Sequence, residues 1–435
     1  MSHYKPYPAY KDFGVEWIGE VPRHWEILRI KRTASLRTER RNDAPDGCAY
    51  IGLEDVEQET GLYMPTAGES RQSEDSTVGV FRRNDVLYGK LRPYLRKAIV
   101  AGQDGVCSTE FLVLEPNRTS PRWLHRWLLT PGVTQQIEAG CDGAKMPRAD
   151  WEHVGSVHAP VPPSDEQATI TAALNRETTR IDALISKKTR FIELLKEKRQ
   201  ALIAHAVTKG LDPNVKMKDS GVEWIGEVPE HWSLLRLASI GPLMKANGGN
   251  KQDDLDSGVP CIRYGDLYTT YDLLIRNIRK FISPETELDY TPIQYGDILF
   301  AASGETFEEI GKSAVNLAET HACCGGDVII LRPKRKIDPV FLAYAAGSSS
   351  AQAQKSLMGK GFTVIHIYGD QLRNLVIAAP SEQEQKLIGA KIESETARID
   401  ALIEKCQRGI SLLKERRSAF ITAAVTGQID LREVA

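Results

Sequence analysis

The longest regular feature of this chain is a heptad pattern of apolar residues that occurs twice. Alternating steps of four and three residues lead from Leu174 to Ala206, and adding 218 to each number leads from Ile392 to Ala424. A pattern kept over more than four heptads is typical of helices that pair in a coiled coil. The alternative is that each helix packs against its own globular core. The interfacial positions expected for a coiled coil are Leu174, Ile181, Ile185, Ile192, Leu195 and Leu202, and Ile392, Ile399, Ile403, Ile410, Leu413 and Phe420.

Turn and capping signals set the ends of these helices. Ser164 stands three residues before Gln167, and Ser381 stands three before Glu384, which is the spacing of a capping box. The sequence therefore predicts one helix over 164–207 and another over 381–426. Short apolar runs between turn residues predict strands at 78–81, 85–89, 111–115, 297–301 and 327–332, with shorter helices at 121–129 and 339–346.

The whole chain is an internal repeat. The segment DFGVEWIGEVPRHWEILRI at 12–30 returns at 219–237 with 14 of 19 positions identical, and the helix at 177–207 returns at 395–425. Between these anchors only the apolar pattern is kept, so the ends of the two units are alike and their middles have diverged. The tryptophans that recur in the repeated segments are expected to be core residues: Trp17, Trp25, Trp224 and Trp232.

Chain geometry restricts how two such units are joined. A helix over 164–207 measures about 66 Å, whereas the 13 residues 208–220 reach at most about 45 Å. The second globular domain must then begin near the far end of the first helix, and its own helix can pair with the first only by running back. We expect an α+β fold: two mixed α/β domains, related by an approximate two-fold axis and separated by a long antiparallel two-helix coiled coil.

The resulting domain prediction has five parts. They are a first globular domain over 1–163, a first helix over 164–207, a linker over 208–220, a second globular domain over 221–380 and a second helix over 381–426.

Composition and charge narrow the class of protein. Hydrophobic residues make up 41% and charged residues 26% of the chain, as in globular proteins. There is no apolar run long enough to span a membrane, and the N-terminus lacks the apolar core of a signal peptide, so we expect a cytoplasmic protein. The net charge of −2 argues weakly against a nucleic-acid partner, but Arg29–Arg41 and Arg82–Lys97 each hold six basic residues, and local clusters matter more than the total.

A set of short motifs in fixed order then resembles a known family. GVEWIGEVPxHW near the head of each unit, LYGKLRPYLRKA at 87–98, GAKMPR at 143–148, PPSDEQ at 162–167 and RIDALI in both helices resemble the specificity subunits of type I restriction–modification systems. The resemblance covers essentially the whole chain. It implies a non-catalytic subunit whose two globular domains are target-recognition domains, which read a bipartite, asymmetric site in double-stranded DNA.

The same resemblance implies partners. Two modification subunits, which methylate adenine with S-adenosylmethionine, and two ATP-driven restriction subunits would dock onto such a chain. S-adenosylmethionine, ATP and Mg would then belong to the partners, and this chain would hold no cofactor.

Candidate DNA contacts come from the basic segments of these motifs, because lysine and arginine neutralise phosphates and arginine also pairs with guanine. A surface salt-bridge role is the alternative for each. The second unit departs from the pattern: its counterpart to KLRPYLRKA is the acidic ASGETFEEIGKSA at 302–314, and GFTVIH at 361–366 replaces GAKMPR. The candidates are Lys90, Arg92, Tyr94, Arg96, Lys97, Lys145 and Arg148 in the first unit, and Lys251, Arg263, Lys312, Lys360 and His366 in the second.

The sequence predicts no catalytic or metal site. The Pro-Pro pair at 162–163 is preceded by Val161 and followed by Ser164, unlike the loop that holds the base in adenine methyltransferases. Gly311-Lys312-Ser313 lacks the earlier glycine of a P-loop, and the histidines and cysteines have no metal-ligand spacing. Two alternative functions stay open: a self-contained DNA-modifying enzyme with an unfamiliar site, and a coiled-coil scaffold that binds only proteins.

Overall fold

A computed structural model describes residues 4–42, 48–65, 77–141, 143, 145–248 and 253–432. The chain divides into two units, Met1–Lys188 with Gln407–Ala435, and Thr189–Cys406. Each unit contains one globular domain and one part of each long helix.

The globular domain of the first unit consists of short strands and four short helices. The strands are β1 (Tyr10–Asp12), β2 (Glu20–Pro22), β3 (Glu26–Arg29), β4 (Ala34–Leu36), β5 (Arg40–Arg41), β6 (Ala49–Ile51), β7 (Val78–Phe81), β8 (Val86–Gly89), β9 (Ala98–Val100), β10 (Gly105–Cys107), β11 (Phe111–Pro116) and β12 (His158–Val161), and the short helices are α1 (Ile30–Thr33), α2 (Pro121–Leu128), α3 (Pro131–Glu138) and α4 (Trp151–Ser156). Two four-stranded sheets have the orders β5-β7-β10-β6 and β4-β11-β8-β9. The pairs are antiparallel except for β10 with β6.

The long helix α5 (Ser164–Lys209) follows, and the second unit then repeats this plan with additional strands. Its strands are β13 (Met217–Asp219), β14 (Glu227–Pro229), β15 (Ser233–Arg236), β16 (Leu243–Lys245), β17 (Val259–Ile262), β18 (Leu274–Ile275), β19 (Phe281–Ile282), β20 (Thr291–Ile293), β21 (Ile298–Ala301), β22 (Ser303–Gly304), β23 (Ser313–Asn316), β24 (Ala322–Cys324), β25 (Val328–Leu331), β26 (Ile365–His366) and β27 (Val376–Ala379), and its helices are α6 (Leu237–Ile240), α7 (Tyr264–Thr269), α8 (Pro339–Gly347), α9 (Ser349–Met358), α10 (Gly369–Leu372) and α11 (Glu382–Val425). The main sheets have the orders β16-β25-β21-β23-β18 and β19-β17-β24-β20.

The mixed α/β fold predicted from the apolar pattern is confirmed. The five predicted strands correspond to β7, β8, β11, β21 and β25, and the shorter predicted helices correspond to α2 and α8. Both short helices begin in the same way, with a proline at the first helical position and a capping side chain before it: Ser120 accepts from the N–H of Trp123, and Asp338 accepts from that of Phe341. Such a cap satisfies an N–H group that the helix itself leaves free.

The two long helices run antiparallel in each unit. In the first unit, Asp182 of α5 receives the guanidinium of Arg417 at 2.9 Å, and Lys188 lies against Gly409. Residue numbers therefore rise along one helix as they fall along the other. This direction confirms the expected pairing, and the alternative in which each helix packs only against its own domain is wrong here.

The second unit has the corresponding contact. The Nε of Arg199 lies 3.2 Å from Asp400, while Ile203 and Ile392, further along each helix, share one core. Arg199 and Arg417 are 218 residues apart, and so are Asp182 and Asp400, so the two ion pairs are repeats of one another. All twelve residues expected at the interface are buried or half-buried.

Each long helix is fastened to its globular domain by a glutamate in its first turn. In the first unit, Glu166 is 6% exposed and accepts from Trp25 Nε1 at 3.0 Å, and its other oxygen lies 2.7 Å from His24 Nε2. In the second unit, Glu384 makes the same contacts with Trp232 and His231, at 3.1 Å and 3.0 Å. The repeated His-Trp and Glu-Gln motifs are therefore two halves of one contact.

The glutamine that follows each glutamate makes a second connection. Gln167 Oε1 accepts from the N–H of Ser120 at 2.8 Å, and Gln385 Oε1 accepts from that of Asp338 at 2.9 Å. The capping-box prediction is thus wrong for the first helix, where Ser164 is itself helical and Gln167 bonds to the globular domain. Ser381 does accept from the N–H of Glu384, at 3.3 Å.

The tryptophans show where the repeat has diverged. Trp25 and Trp232 are buried, as expected, and Trp17 stacks on Trp127 with ring centroids 5.9 Å apart. Trp224 is 42% exposed instead. The reason is that the repeat places Ala345 where the first unit has Trp127, and alanine offers no ring for Trp224 to stack on.

A lysine lies in the core of the second unit. Lys355 is 1% exposed, and its ammonium donates to the carbonyl of Gly311 at 2.8 Å. The equivalent position of the first unit holds Ile137, which is fully buried. Burial lowers the pKa of the Lys355 amine to about 7, because a charged group loses its hydration there.

The glutamate anchor predicts the effect of its removal. We expect Glu166→Ala to lower the melting temperature of the first unit by roughly 4–10 °C, because the indole N–H of Trp25 is left buried without an acceptor. Differential scanning calorimetry measures this loss. Asp165→Ala, on the same turn but exposed, should change little, and Glu166→Gln, which keeps an acceptor, should recover part of the loss. Equal melting temperatures for Glu166→Ala and Asp165→Ala would exclude the anchor.

Lys355 predicts a pH dependence of stability. The unfolded chain holds the lysine proton up to its ordinary pKa of 10.5, whereas the folded chain releases it above about 7. The unfolded state therefore binds more protons between these values, and this residue makes the free energy of unfolding rise with pH over that window. Lys355→Met should unfold at a higher temperature than the unmodified chain at pH 7, and the gap should shrink by pH 10. A gap that does not change with pH would contradict this, and exposed Lys360→Met is the control.

Candidate nucleic-acid interface

The basic loop after β8 has a fixed and unusual backbone. Arg92 and Arg96 have φ values of 53° and 47°, in the left-handed region that residues other than glycine seldom occupy. Between them Pro93–Leu95 forms one short 3-10 turn. Such strained conformations persist only where surrounding contacts hold them, and they are frequent at functional sites.

Those surrounding contacts come from the GAKMPR segment. Leu91 forms a β-bridge with Arg148, and the N–H of Arg92 donates to the carbonyl of Pro147 at 2.8 Å. The N–H of Ala149 donates in turn to the carbonyl of Lys90 at 2.9 Å. Two motifs that are far apart in the sequence therefore form one continuous surface at the end of β8.

Three of the predicted basic residues on this surface have internal partners. Arg148 makes two bonds to Glu110, at 3.0 Å and 3.2 Å. Arg96 pairs with Glu59, and the ammonium of Lys97 donates to the carbonyl of Leu53 at 2.6 Å. These side chains shape the loop, and the carboxylates of Glu110 and Glu59 are partners that the search for basic residues did not foresee.

The remaining predicted residues face solvent. Arg92 and Lys145 are exposed, Lys90 is half-buried, and Tyr94 is 46% exposed. Within the described part of the chain, the three cations have no side-chain partner. A surface of unpaired cations beside an aromatic ring has the chemistry to contact phosphates and bases.

The second unit brings the equivalent segments together. Ser303 of β22 pairs with His366 of β26, which are the positions of Leu91 and Arg148 in the repeat. Ser303 Oγ lies 3.0 Å from His366 Nδ1 and 3.4 Å from a carboxylate oxygen of Asp327. The backbone arrangement is thus kept, while the side chains on it are different.

The basic residues predicted in the second unit have different environments. Lys312 donates to the carbonyl of Tyr268 at 3.2 Å and lies 5.9 Å from its ring centroid; burial raises the pKa of the Tyr268 hydroxyl to about 12. Lys360 is exposed, next to half-buried His366. Lys251 lies outside the described residues.

Arg263 lies at the wall of a cavity. Its side chain is 9% exposed and forms an ion pair with Asp254 at 2.8 Å, at a cavity of about 710 Å³ that Lys245 and Lys280 also line. Among the described residues, its Nε and Nη1 have no hydrogen-bond partner. A DNA contact by Arg263 stays a prediction, and it would require the DNA to reach into this cavity.

Sequence reasoning also missed a group of exposed aromatic residues in the second unit. Phe362 is fully exposed, and Tyr368 and Phe307 are 53% and 41% exposed. They belong to the segments equivalent to GAKMPR and KLRPYLRKA or directly follow them. The repeat alignment could have found them, but the search there was for basic residues.

Two other kinds of site were sought in the described residues. No three histidine, cysteine, aspartate or glutamate side chains come together there as metal ligands. None of the described helices has the length and apolar character needed to cross a bilayer.

Comparison with known proteins gives a consistent result. Residues 229–410 match the family model described as type I restriction modification DNA specificity domain. The chain is 23% identical to the type I restriction enzyme MjaVIII specificity subunit of Methanocaldococcus jannaschii, over 77% of each chain. It is 22% identical to the EcoBI specificity subunit of Escherichia coli, over 88% of this chain and 86% of that protein.

Solved structures share the fold. A structure that describes complex assembly and conformational transition of the type I R-M system matches with a TM-score of 0.72 at 20% identity, over 94% of this chain and 99% of the other. The HsdS subunit from Thermoanaerobacter tengcongensis matches with a TM-score of 0.53, also at 20% identity, over 94% and 98%.

Residues 229–410 thus match a type I restriction modification DNA specificity domain, and over most of its length the chain is similar to proteins named as specificity subunits of type I restriction enzymes. Such subunits are non-catalytic, and catalysis lies in their partner subunits. The resemblance drawn from the motifs is confirmed.

The surface at the end of β8 predicts a salt-dependent loss of DNA binding. We expect Arg92→Ala and Lys145→Ala each to weaken binding of target and non-target duplex alike by roughly 3- to 10-fold at moderate salt, because each removes a phosphate contact. The slope of log affinity against log salt should fall by about one unit per lost contact. Titration of the complex assembled with its partner subunits measures both.

Arg180→Ala on α5 is the matched control, because Arg180 is an exposed cation outside this surface. If it weakened binding as much as Arg92→Ala, or if neither loop variant changed the salt slope, the assignment would be wrong.

Proposed function

We propose that this chain reads a bipartite, asymmetric DNA site, one half with each target-recognition domain. The observation that supports this proposal most directly is the repeated backbone arrangement with different side chains. Leu91 and Arg148 pair in the first unit, and Ser303 and His366 pair at the same positions in the second. Two surfaces built on one plan but differing in charge and shape are suited to two different base sequences.

We further propose that the paired helices act as a ruler between the two half-sites. α5 has 46 residues and α11 has 44, so each measures roughly 65–70 Å. The ion pairs Asp182–Arg417 and Arg199–Asp400 support a fixed register, because a shift of either helix would leave charges without partners. A rigid spacer gives a target with a fixed gap between its halves, since each base pair adds about 3.4 Å.

The remaining parts of the proposal concern the partners. Two modification subunits and two restriction subunits would dock onto this chain in the cytoplasm. S-adenosylmethionine, ATP and Mg would be held by those subunits. The comparisons support this division of labour, because the similar proteins are named as specificity subunits of type I restriction enzymes.

The ruler predicts the result of lengthening it. One heptad inserted between Lys187 and Lys188 in α5, and another between Ile410 and Ser411 in α11, should move the recognition domains apart by about 10 Å. The gap between the two halves of the target should grow by about three base pairs. Methylome sequencing of cells that carry the variant with its partner subunits measures the gap.

Seven residues inserted after Asp212, in the connection between α5 and β13, should leave the gap unchanged. An unchanged gap in the doubly lengthened variant, with methylation retained, would reject the ruler. Methyl transfer by the purified chain alone would instead favour the self-contained enzyme, and DNA affinity that does not depend on salt would favour the protein-only scaffold.

A further inference from the structure

A short loop in the second unit has a fixed shape. Lys360 and His366 close it with two backbone bonds: Lys360 N–H donates to His366 O at 2.9 Å, and His366 N–H donates to Lys360 O at 2.7 Å. Within the loop, Gly361 has a φ of +133°, and a Cβ there would lie 2.1 Å from the carbonyl oxygen of Val364. Only glycine fits this position, so the backbone of the loop is constrained where Phe362 begins.

The side chains it presents are apolar and exposed. Phe362 is 105% exposed, and Val364 is 48% exposed. Phe307 lies against Gly359 at the base of the loop, and the ring of Tyr368 stacks on that of His366 with centroids 6.4 Å apart. Contiguous exposed apolar surface is typical of contact sites, and these side chains are candidates for such a contact.

The place of this loop in the repeat connects it with DNA recognition. Because His366 pairs with Ser303 as Arg148 pairs with Leu91, the loop stands where the first unit has Lys145 and its neighbours. The first unit offers cations at this place. The second offers a phenylalanine.

The charges around the loop oppose a phosphate contact. Glu305, Glu308 and Glu309 are exposed on the segment that follows Gly304, whose own strand pairs with the loop. Phosphates are repelled by carboxylates, whereas base edges are not: a phenylalanine can contact a thymine methyl group, and a carboxylate can accept from a cytosine amino group. A phenylalanine beside carboxylates is therefore better suited to contact base edges in a DNA groove than the phosphates at its rim.

We infer that Phe362 is a specificity-determining residue that contacts base edges in the half-site read by the second unit. The inference rests on the proposed function and adds to it the residue and the kind of contact.

The test compares Phe362→Ala with the unmodified chain in cells that carry the complete system. Methylome sequencing should show that one or two positions in one half of the target are no longer distinguished, with the other half unchanged. In titrations of the assembled complex, discrimination between the target and a base-substituted duplex should fall roughly 5- to 100-fold, the range expected for one base contact. The salt slope should stay the same.

Three further variants sharpen the result. Phe362→Leu keeps an apolar side chain and should retain part of the discrimination, which also controls for any folding defect. Lys360→Ala, which removes the exposed lysine of the same loop, should leave the discrimination between the target and the base-substituted duplex unchanged. Leu387→Ala, which removes an exposed apolar residue from α11 in the same unit, should change neither the motif nor the affinity.

Three outcomes would overturn the inference. They are an unchanged motif in Phe362→Ala, an equal loss for all duplexes with a lower salt slope, and loss of a partner subunit from the purified complex, which would mean that the loop contacts protein. Absence of sequence-specific methylation by the unmodified system would instead reject the proposed function itself, so the two failures are distinguishable.

Discussion

The contact on which each unit depends is the bond between a glutamate carboxylate and a buried indole N–H at the start of the long helix. Glu166 holds Trp25, and Glu384 holds Trp232, so the direction in which each helix leaves its domain is set by a side chain near the domain's centre. The neighbouring glutamines bind the N-terminal ends of α2 and α8. Because the glutamate and the glutamine both attach the long helix to its domain, the orientation of the helix is fixed. Its heptad face therefore lies against the partner helix.

The second constraint is electrostatic and acts along the helices. Arg199 and Arg417 occupy interfacial positions that an ordinary coiled coil gives to apolar residues, and each forms an ion pair with an aspartate of the opposite helix. A shift of either helix would leave a largely buried guanidinium without its carboxylate, which is costly. These pairs therefore specify register where the apolar residues alone would tolerate a shift by one heptad. Arg199 also pairs with Asp272 of the globular domain, which links the helix pair to that domain.

The surfaces proposed to recognise DNA differ while the backbone contacts that support them are kept. The bridge between the loop after β8 and the GAKMPR segment has the same form as the β22–β26 pair, and backbone bonds of this kind do not depend on side-chain identity. The side chains above them are consequently free to diverge: Arg92 and Lys145 in one unit, Phe362 in the other. Lys355 stands where the first unit has the core residue Ile137, so the two repeats differ in their cores as well as on their surfaces.

The sequence by itself determined the elements, the repeat and the direction of the paired helices, because hydrophobic periodicity and the short reach of residues 208–220 leave few alternatives. It also singled out the segments 87–98 and 143–148, which the structure brings together through the Leu91–Arg148 bridge. Only the tertiary structure decided which cations are available, since Arg96, Arg148 and Arg263 are engaged by Glu59, Glu110 and Asp254, which are distant from them in the sequence or belong to another element. The exposure of Phe362 and the burial of Lys355 were also decided by the tertiary structure. A residue's type sets what contact it can make, but the neighbours that folding brings to it set which contact it makes.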